Sequence, residues 1–440
     1  MDNGGTYKDS IYTLFSQAEK IRRGIVEDPI VYLVDLLLYQ AIQIHASDIH
    51  LQPDEVSMVV RYRIDGVLYD QSLIDGEQKN LVLSRLKILA NLDIAERRVP
   101  QDGKFKIFMH DGVGHDVYES REEREKSSQE KKQQEQKEQN SGLIDFRVST
   151  FPSIFGEKMV IRILNRSHNL LNLDTLGFNS IISQRIHELI NQPHGFFLVT
   201  GPTGSGKTTT LYAMLSQLNS PERNIVTMED PVEYDLPGIT QSQINIKAGF
   251  TFETGLRALL RQDPDIIMIG EIRDKITAQI AIESSLTGHL VLSTLHTNDA
   301  PSAITRLIEM GVEPFLINAS LSGVLAQRLV RKLCVHCKQQ VILDVPTREI
   351  LARYDISCEI LFKPVGCSRC FNLGYSGRVG IFELLSIDDH LRELIIAKES
   401  TEKIRLYACN NGMTLLLHDG IEKVQQGVIS LEDLLAVVAG

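Results

Sequence analysis

GFFLVTGPTGSGKTTTLYAML, residues 195–215, falls into three parts. Gly195 to Thr200 is a continuous apolar run of the kind that forms a strand buried on both faces. Gly201 to Thr208 fits G-x-x-x-x-G-K-[ST], and Thr209 to Leu215 opens a helix. The order has a chemical reason. Glycines let backbone N–H groups close around phosphate oxygens, and a helix N-terminus adds positive potential behind them. In such a loop the lysine, here Lys207, bridges the β- and γ-phosphates, and the following hydroxyl, Thr208, takes Mg²⁺. Gly201, Pro202, Thr203, Gly204, Ser205, Gly206, Lys207, Thr208 and Thr209 are therefore the expected ATP-binding set.

Downstream, strands and helices alternate from about residue 176 to 333, the pattern of a parallel α/β sheet. DPDIIMIGEIRD carries a short buried strand, Ile266 to Ile269, expected to lie beside the phosphate-loop strand. It ends in Gly270-Glu271 where many phosphate-loop ATPases end Asp-Glu, and this places Glu271 to orient or activate an attacking water. IVTMEDPVEY carries a strand from Ile225 to Thr227 that delivers Glu229, Asp230 and Glu233 at its tip. Ligands of an α/β sheet sit at the carboxyl ends of its strands, so these acids are candidates for holding Mg²⁺ through water or serving as a second base. A capping turn around Asp230-Pro231 is the plainer alternative. In TGHLVLSTLHTNDA the strand Leu290 to Ser293 has His289 before it and His296 after it, both candidates for sensing the γ-phosphate.

Cys334-Val-His-Cys337 and Cys367-Ser-Arg-Cys370 give C-x2-C…x29…C-x2-C. Four thiolates make a closed tetrahedral Zn²⁺ site, hence a structural one. Cys358 and Cys409 stand outside that spacing and read as packing residues. The remainder, residues 381–440, reads as helical.

Upstream, Asp28 to Ala46 has helical apolar spacing, and VSMVVRYRIDGVLYD reads as a β-hairpin turning at Asp65-Gly66. A helix is expected over Gln78 to Asn91, with strands over Leu143–Thr150 and Lys158–Leu164. Between these lies a stretch, residues 119–141, without an apolar residue and with seven Glu against six Lys plus Arg. It has nothing to bury, and it reads as a solvated insertion in an elongated hairpin loop. The expected divisions are an arm at 1–27, a smaller α/β domain at 28–166, a linker at 167–175, an ATPase core at 176–333, a cysteine subdomain at 334–380 and a C-terminal region at 381–440.

Composition narrows the function classes. A length of 440 residues calls for more than one core, and 43% hydrophobic with 23% charged residues is ordinary for a globular chain. Asp35 and Gln40 break the best apolar run, Ile30 to Ile44, so no transmembrane helix is expected. The polar start MDNGGTYKDS lacks the features of a secretory signal, so a cytoplasmic location is expected. A formal net charge of -11 argues against general nucleic-acid binding, because that affinity rests on neutralised phosphates.

As an ordered set, SDIHLQP, RYRIDG, ERRVPQDGKF, GPTGSGKTTT, MEDPVEY, LRALLRQDPDIIMIGEIRD, TGHLVLSTLHTNDA, AQRLVRKLC and GYSGRVGIFELL resemble the type II secretion and type IV pilus assembly ATPases, the GspE/PilB family, from roughly residue 28 to the end. The resemblance implies a RecA-like core and a homo-hexameric ring that works at the cytoplasmic face of the membrane. It further implies a polytopic inner-membrane platform protein as partner and pilin or pseudopilin as cargo. Glu229, Asp230 and Glu233 match the family's acidic box, Glu271 its Walker B acid, and His289 and His296 its histidine box. Arg61 matches an arginine that reaches the γ-phosphate from the smaller domain, with Arg63 nearby; a second such position falls near Gly76, where only Lys79 is close. Arg257 and Arg261 match further arginines of the nucleotide interface, and the four cysteines match the family's tetracysteine. Many members carry a larger leading domain than the 27 residues found here, which suggests a minimal system. The alternatives are a retraction ATPase, whose relatives lack the tetracysteine, a non-hydrolysing nucleotide-binding scaffold, and a DNA-translocating motor.

Overall fold

The structure is a computed structural model and describes residues 29–110, 113–116, 142–165, 172–342, 348 and 360–439. The N-terminal arm, the insertion at 119–141 and Cys358 lie outside the described residues. The chain forms two compact units, Met1–Ser167 and His168–Gly440.

In the first unit, helix α1 (Pro29–Gln43) buries Val34, Leu37, Leu38 and Ala41, the stripe its spacing announces. Strands β1 (Asp48–Pro53), β2 (Ser57–Ile64) and β3 (Val67–Asp75) follow, then helix α2 (Gly76–Leu89). Strands β4 (Gln101–His110), β5 (Val113–Asp116), β6 (Gly142–Ser153) and β7 (Gly156–Asn165) complete an antiparallel sheet of order β3-β2-β1-β7-β6-β4-β5. The β2–β3 hairpin turns at Asp65 and Gly66, both at positive φ (49° and 91°), as a two-residue turn with the strands' own twist requires. β2 alternates strictly: Met58, Val60, Tyr62 and Ile64 are buried, which leaves Arg61 and Arg63 on the other face. Tyr62 donates to the Leu37 carbonyl at 2.9 Å and so ties α1 to the sheet. The insertion does not close a hairpin. It joins β5 to β6, which flank β4 on opposite sides, although both stay in one sheet.

The second unit is built on seven strands. After helix α3 (Ser180–Ile190) come β8 (Gly195–Thr200), helix α4 (Lys207–Leu218), β9 (Ile225–Glu229), β10 (Thr240–Gln243) and helix α5 (Phe252–Leu259). Then follow β11 (Ile266–Ile269), helix α6 (Lys275–Leu286), β12 (Leu290–Leu295), helices α7 (Ala300–Glu309) and α8 (Pro314–Ser320), and β13 (Leu321–Leu333). The sheet order is β10-β9-β11-β12-β8-β13, all parallel, closed at one edge by the antiparallel strand β16 (Tyr375–Ser386). Two buried clusters cover its faces: one set of residues from β8 (Phe196, Leu198) joins helices α5 to α8, and the alternate set (Phe197, Val199) joins α3 and α4. This is the RecA-like α/β layering expected of the chain.

Two further expectations need correcting. β11 is not the neighbour of β8, because β12 lies between them. Strands β8, β11 and β12 are buried along their whole length, without an alternating pattern, so the sequence does not rank their neighbours. The region after residue 380 is also not wholly helical: residues up to Ser386 belong to β16, which runs from the cysteine element into the core sheet. Helices α9 (Asp389–Ile396), α10 (Thr401–Asn410), α11 (Leu416–Gln425) and α12 (Leu431–Ala439) follow. A small antiparallel pair, β14 (Gln339–Ile342) with β15 (Ile360–Lys363), lies between the two cysteine pairs in sequence. Among the described residues no helix is long and apolar enough to cross a membrane.

Candidate active site and cysteine cluster

The phosphate loop links the buried end of β8 to the first turn of α4. Gly204 and Gly206 hold positive φ (80° and 88°), and Gly206 caps α4 in a left-handed conformation that a side chain would strain. Gly201 is glycine for space: a Cβ there would stand 2.4 Å from the Gln327 carbonyl oxygen and 2.6 Å from Ser205 Oγ. Pro202, Thr203, Gly204 and Thr208 are exposed, so the loop opens outward with the Thr208 side chain on its open side. Lys207 is 9% exposed, and its ammonium donates to the carbonyls of Gly201 (2.8 Å) and Pro202 (3.1 Å). Burial lowers its pKa, and the Glu271 carboxylate acts in the opposite sense. A cradle of glycine backbone with a buried lysine and an open threonine hydroxyl fits a triphosphate with Mg²⁺.

Glu271 stands just beyond β11. Its side chain is 15% exposed, paired with Arg273 on one oxygen and 3.5 Å from His296 Nε2 on the other. Gly270 lets this turn form. Its N–H bonds the Met228 carbonyl at 2.8 Å, and a Cβ would come 3.4 Å from Glu229 Cα. His296 follows β12. Burial lowers its pKa first and the Lys207 charge second, against Glu271, so the ring is neutral at pH 7. The next residue ties this corner to the loop strand: the Thr200 and Thr297 hydroxyls are 2.7 Å apart, and Thr297 N donates to Thr200 Oγ1 at 2.9 Å. The structure thus brings Lys207, Glu271 and His296 to one corner of the sheet.

Other candidates fall elsewhere. Glu229 is 2% exposed, and its two oxygens take hydrogen bonds from the Tyr212 hydroxyl, Thr227 Oγ1 (2.5 Å) and Gln241 Nε2 (3.1 Å). Burial raises its pKa despite those donors. Such a carboxylate anchors the end of β9 against α4 and differs in setting from a water-binding acid at a strand tip. Asp230 is exposed, and Glu233 is half-buried with its N–H 3.4 Å from the Tyr212 hydroxyl. His289 lies at the start of β12, where its Nδ1 meets the Ser284 carbonyl at 2.8 Å and its own carbonyl accepts from Gly195 N. The phosphate loop leaves the opposite end of the parallel pair, six residues or about 20 Å along. His289 is therefore not a γ-phosphate sensor for the loop of its own chain.

The arginines each have a local partner. Arg61 pairs with Asp70 (2.6 Å) in the first unit, Arg63 donates to the Gly66 carbonyl (2.8 Å), and Lys79 reaches the Asp54 carbonyl at 3.3 Å. On α5, Arg257 pairs with Glu253 at 3.3 Å, and Arg261, in the turn just past that helix, donates to the Arg257 carbonyl. Motif reading missed Arg273, although it stands inside the quoted GEIRD, and Tyr212, Gln241 and Gln327, whose partners are distant in sequence.

The four cysteines converge. Cys334, Cys337, Cys367 and Cys370 place all four sulfurs within 4.8 Å of one another. The separations are 3.9 Å for Cys334–Cys367, 3.8 Å for Cys337–Cys370 and 3.7 Å for Cys367–Cys370. Tetrahedral Zn²⁺ with bonds of about 2.3 Å sets its sulfurs about 3.8 Å apart. The N–H groups of Cys367 and Gly374 both point at Cys370 Sγ, at 3.2 Å. Such donors stabilise a thiolate, so the donor set fits zinc.

Comparisons with known proteins bear on the whole chain. A family model described as "Type II/IV secretion system protein" matches residues 26–117 and 126–436. The "Type II secretion system ATPase E" of Vibrio cholerae is 43% identical over 99% of this chain and 81% of its own length. The "Type II secretion system protein E" of Pseudomonas aeruginosa is 47% identical over 93% and 75%, respectively. The "Type IV pilus assembly ATPase PilB" of Thermus thermophilus is 46% identical over 89% of this chain and 41% of its own. Among solved structures, the Legionella pneumophila ATPase DotB superposes with a TM-score of 0.62 at 20% identity, covering 92% of this chain and 94% of that one. The pilus retraction motor PilT with bound ADP gives 0.56 at 24%, covering 92% and 96%. At these identities the two structures speak to the fold.

Proposed function

We propose that this chain, which belongs to the type II/IV secretion system protein family, uses the corner formed by Lys207, Glu271 and His296 to hydrolyse ATP and drives the assembly of a type IV pilus or of a secretion or competence pseudopilus. It is an ATPase, and its relatives at 43–47% identity are named for type II secretion and type IV pilus assembly. The single observation that carries the site assignment is the convergence of a glycine-cradled lysine, a strand-end glutamate and a neutral histidine at one sheet edge.

The roles follow from the chemistry. Backbone N–H groups of Gly204 to Thr209 grip the phosphates, and Lys207 leaves the carbonyls of Gly201 and Pro202 for phosphate oxygens. Mg²⁺, held by the Thr208 hydroxyl, would neutralise charge developing between the β- and γ-phosphates. Glu271 orients the attacking water and takes its proton. His296, neutral beside Glu271, reports the γ-phosphate to the loop that Thr297 ties to Thr200. Glu229 is a positioning residue for β9. Arg61, Arg257 and Arg261 are assigned phosphate contact from the resemblance of their motifs; arginine suits the task because its planar fork stays charged. Cys334, Cys337, Cys367 and Cys370 hold a structural Zn²⁺. The working form is a homo-hexamer at the cytoplasmic face of the membrane, docked on a polytopic platform protein that handles pilin or pseudopilin.

A retraction motor shares this fold, but the relatives named above, at 43–47% identity, carry assembly and secretion names. The site assignment is tested with purified Lys207→Ala: ATP binding and turnover should both be lost, and near wild-type hydrolysis would overturn it.

A further inference from the structure

β13 carries one side chain at the phosphate loop that the proposed roles leave unused. Gln327 is 2% exposed, and its amide nitrogen donates to the Ser205 carbonyl oxygen at 2.7 Å. Its amide oxygen accepts from Thr210 Oγ1 at 2.8 Å. Ser205 lies inside the loop and Thr210 in the first turn of α4, so one planar amide spans the loop and the helix that leaves it. Its placement is firm, because β13 is hydrogen-bonded to β8 on one side and β16 on the other. Packing is close as well: a Cβ on Gly206 would stand 3.1 Å from Gln327 Nε2.

The consequence follows from peptide geometry. A trans peptide is planar, and its C=O and N–H point in opposite directions. With the Ser205 C=O held toward β13, the Gly206 N–H is aimed away from β13, toward the open side of the loop. We propose that Gln327 is a positioning residue of the phosphate loop, fixing the Ser205–Gly206 peptide so that the Gly206 N–H is a ready donor to the bound nucleotide's phosphates. This rests on the reading of the loop as an ATP site. Because that N–H binds phosphate before and during the reaction alike, Gln327 sets affinity more than rate.

The test is ATP affinity and turnover in the purified full chain. Gln327→Glu keeps the shape and the acceptor to Thr210 but replaces the donor to Ser205 by an oxygen. Thr210→Val removes only the bond to the helix. Gln327→Glu should raise the Kd and KM for ATP about tenfold or more, with kcat within about threefold, the loss expected when a buried acceptor is stranded. Thr210→Val should change KM less than about twofold. Gln327→Met, which also lacks the donor, serves if the glutamate variant does not fold. The proposal is overturned if the Gln327 variants bind ATP as tightly as the wild type, if they lower kcat at unchanged KM, or if Thr210→Val weakens ATP equally. Should the wild type itself bind no ATP, the nucleotide reading fails instead, so the two failures are distinguishable.

Discussion

His296 gives the site a pH signature. Burial and the Lys207 charge hold its pKa below the ordinary 6.5, so it binds protons less readily folded than unfolded. Its contribution to stability is therefore present above pH 6.5 and is lost as pH falls through the lower folded value. Any loss of kcat/KM caused by protonation of this ring in the nucleotide-free protein should fall below pH 6.5. A pH–rate profile of the wild type should show an acid limb there that His296→Asn lacks; a limb centred above 6.5 that vanishes in the variant would contradict the assignment. At this scale the phosphate loop was legible because its glycines answer local demands, such as the left-handed φ at Gly204 and Gly206. Glu271 was legible as the polar end of an apolar run. Glu229 was not: its burial depends on Tyr212, Thr227 and Gln241, and two of these come from other elements. His289 misled because a histidine at the start of a strand and one at its end look alike in a motif but lie at opposite ends of the strand.

Among elements, two joints decide what the core transmits. Glu383 on β16 is 2% exposed, and its carboxylate accepts from Ala300 N at the start of α7 (2.9 Å) and Leu416 N at the start of α11 (3.4 Å). Glu383→Ala strands both donors and should cost roughly 2–6 kcal/mol in denaturant unfolding, from about 1–3 kcal/mol per buried unpaired group. A change within 0.5 kcal/mol, the ordinary range for surface sites, would show the joint idle. The cysteine element is the second joint, set where β13 ends and β16 begins. The protein should contain about one zinc per chain, and Cys334→Ser or chelation should lower its melting temperature. Metal analysis that finds none would remove the zinc. The spacing made the ligands legible, since cysteines with two residues between them suit a shared knuckle. That the chain returns from them as a core strand was not, because an edge strand paired to β13 is a long-range event.

For the whole molecule, the motifs announced a type II secretion or type IV pilus assembly ATPase from roughly residue 28 to the end, and the family match at 26–117 and 126–436 together with the named relatives bears this out. The chain divides into two compact units, Met1–Ser167 and His168–Gly440. The first unit buries an ion pair, Lys87 on α2 with Glu157 at 2.7 Å, side chains 1% and 4% exposed. Lys87→Met leaves Glu157 buried without its partner and should destabilise the first unit by about 3–5 kcal/mol. Calorimetry should show one transition lowered while the transition sensitive to ATP stays in place; a uniform shift of both would argue that the units unfold as one. The most direct test of the central claim is steady-state phosphate release with Mg-ATP from the purified wild type and Glu271→Gln, with the Kd for ATP measured on the same samples. The account predicts equal Kd values and turnover at least about 100-fold lower in the variant. Equal turnover in the two proteins would contradict it.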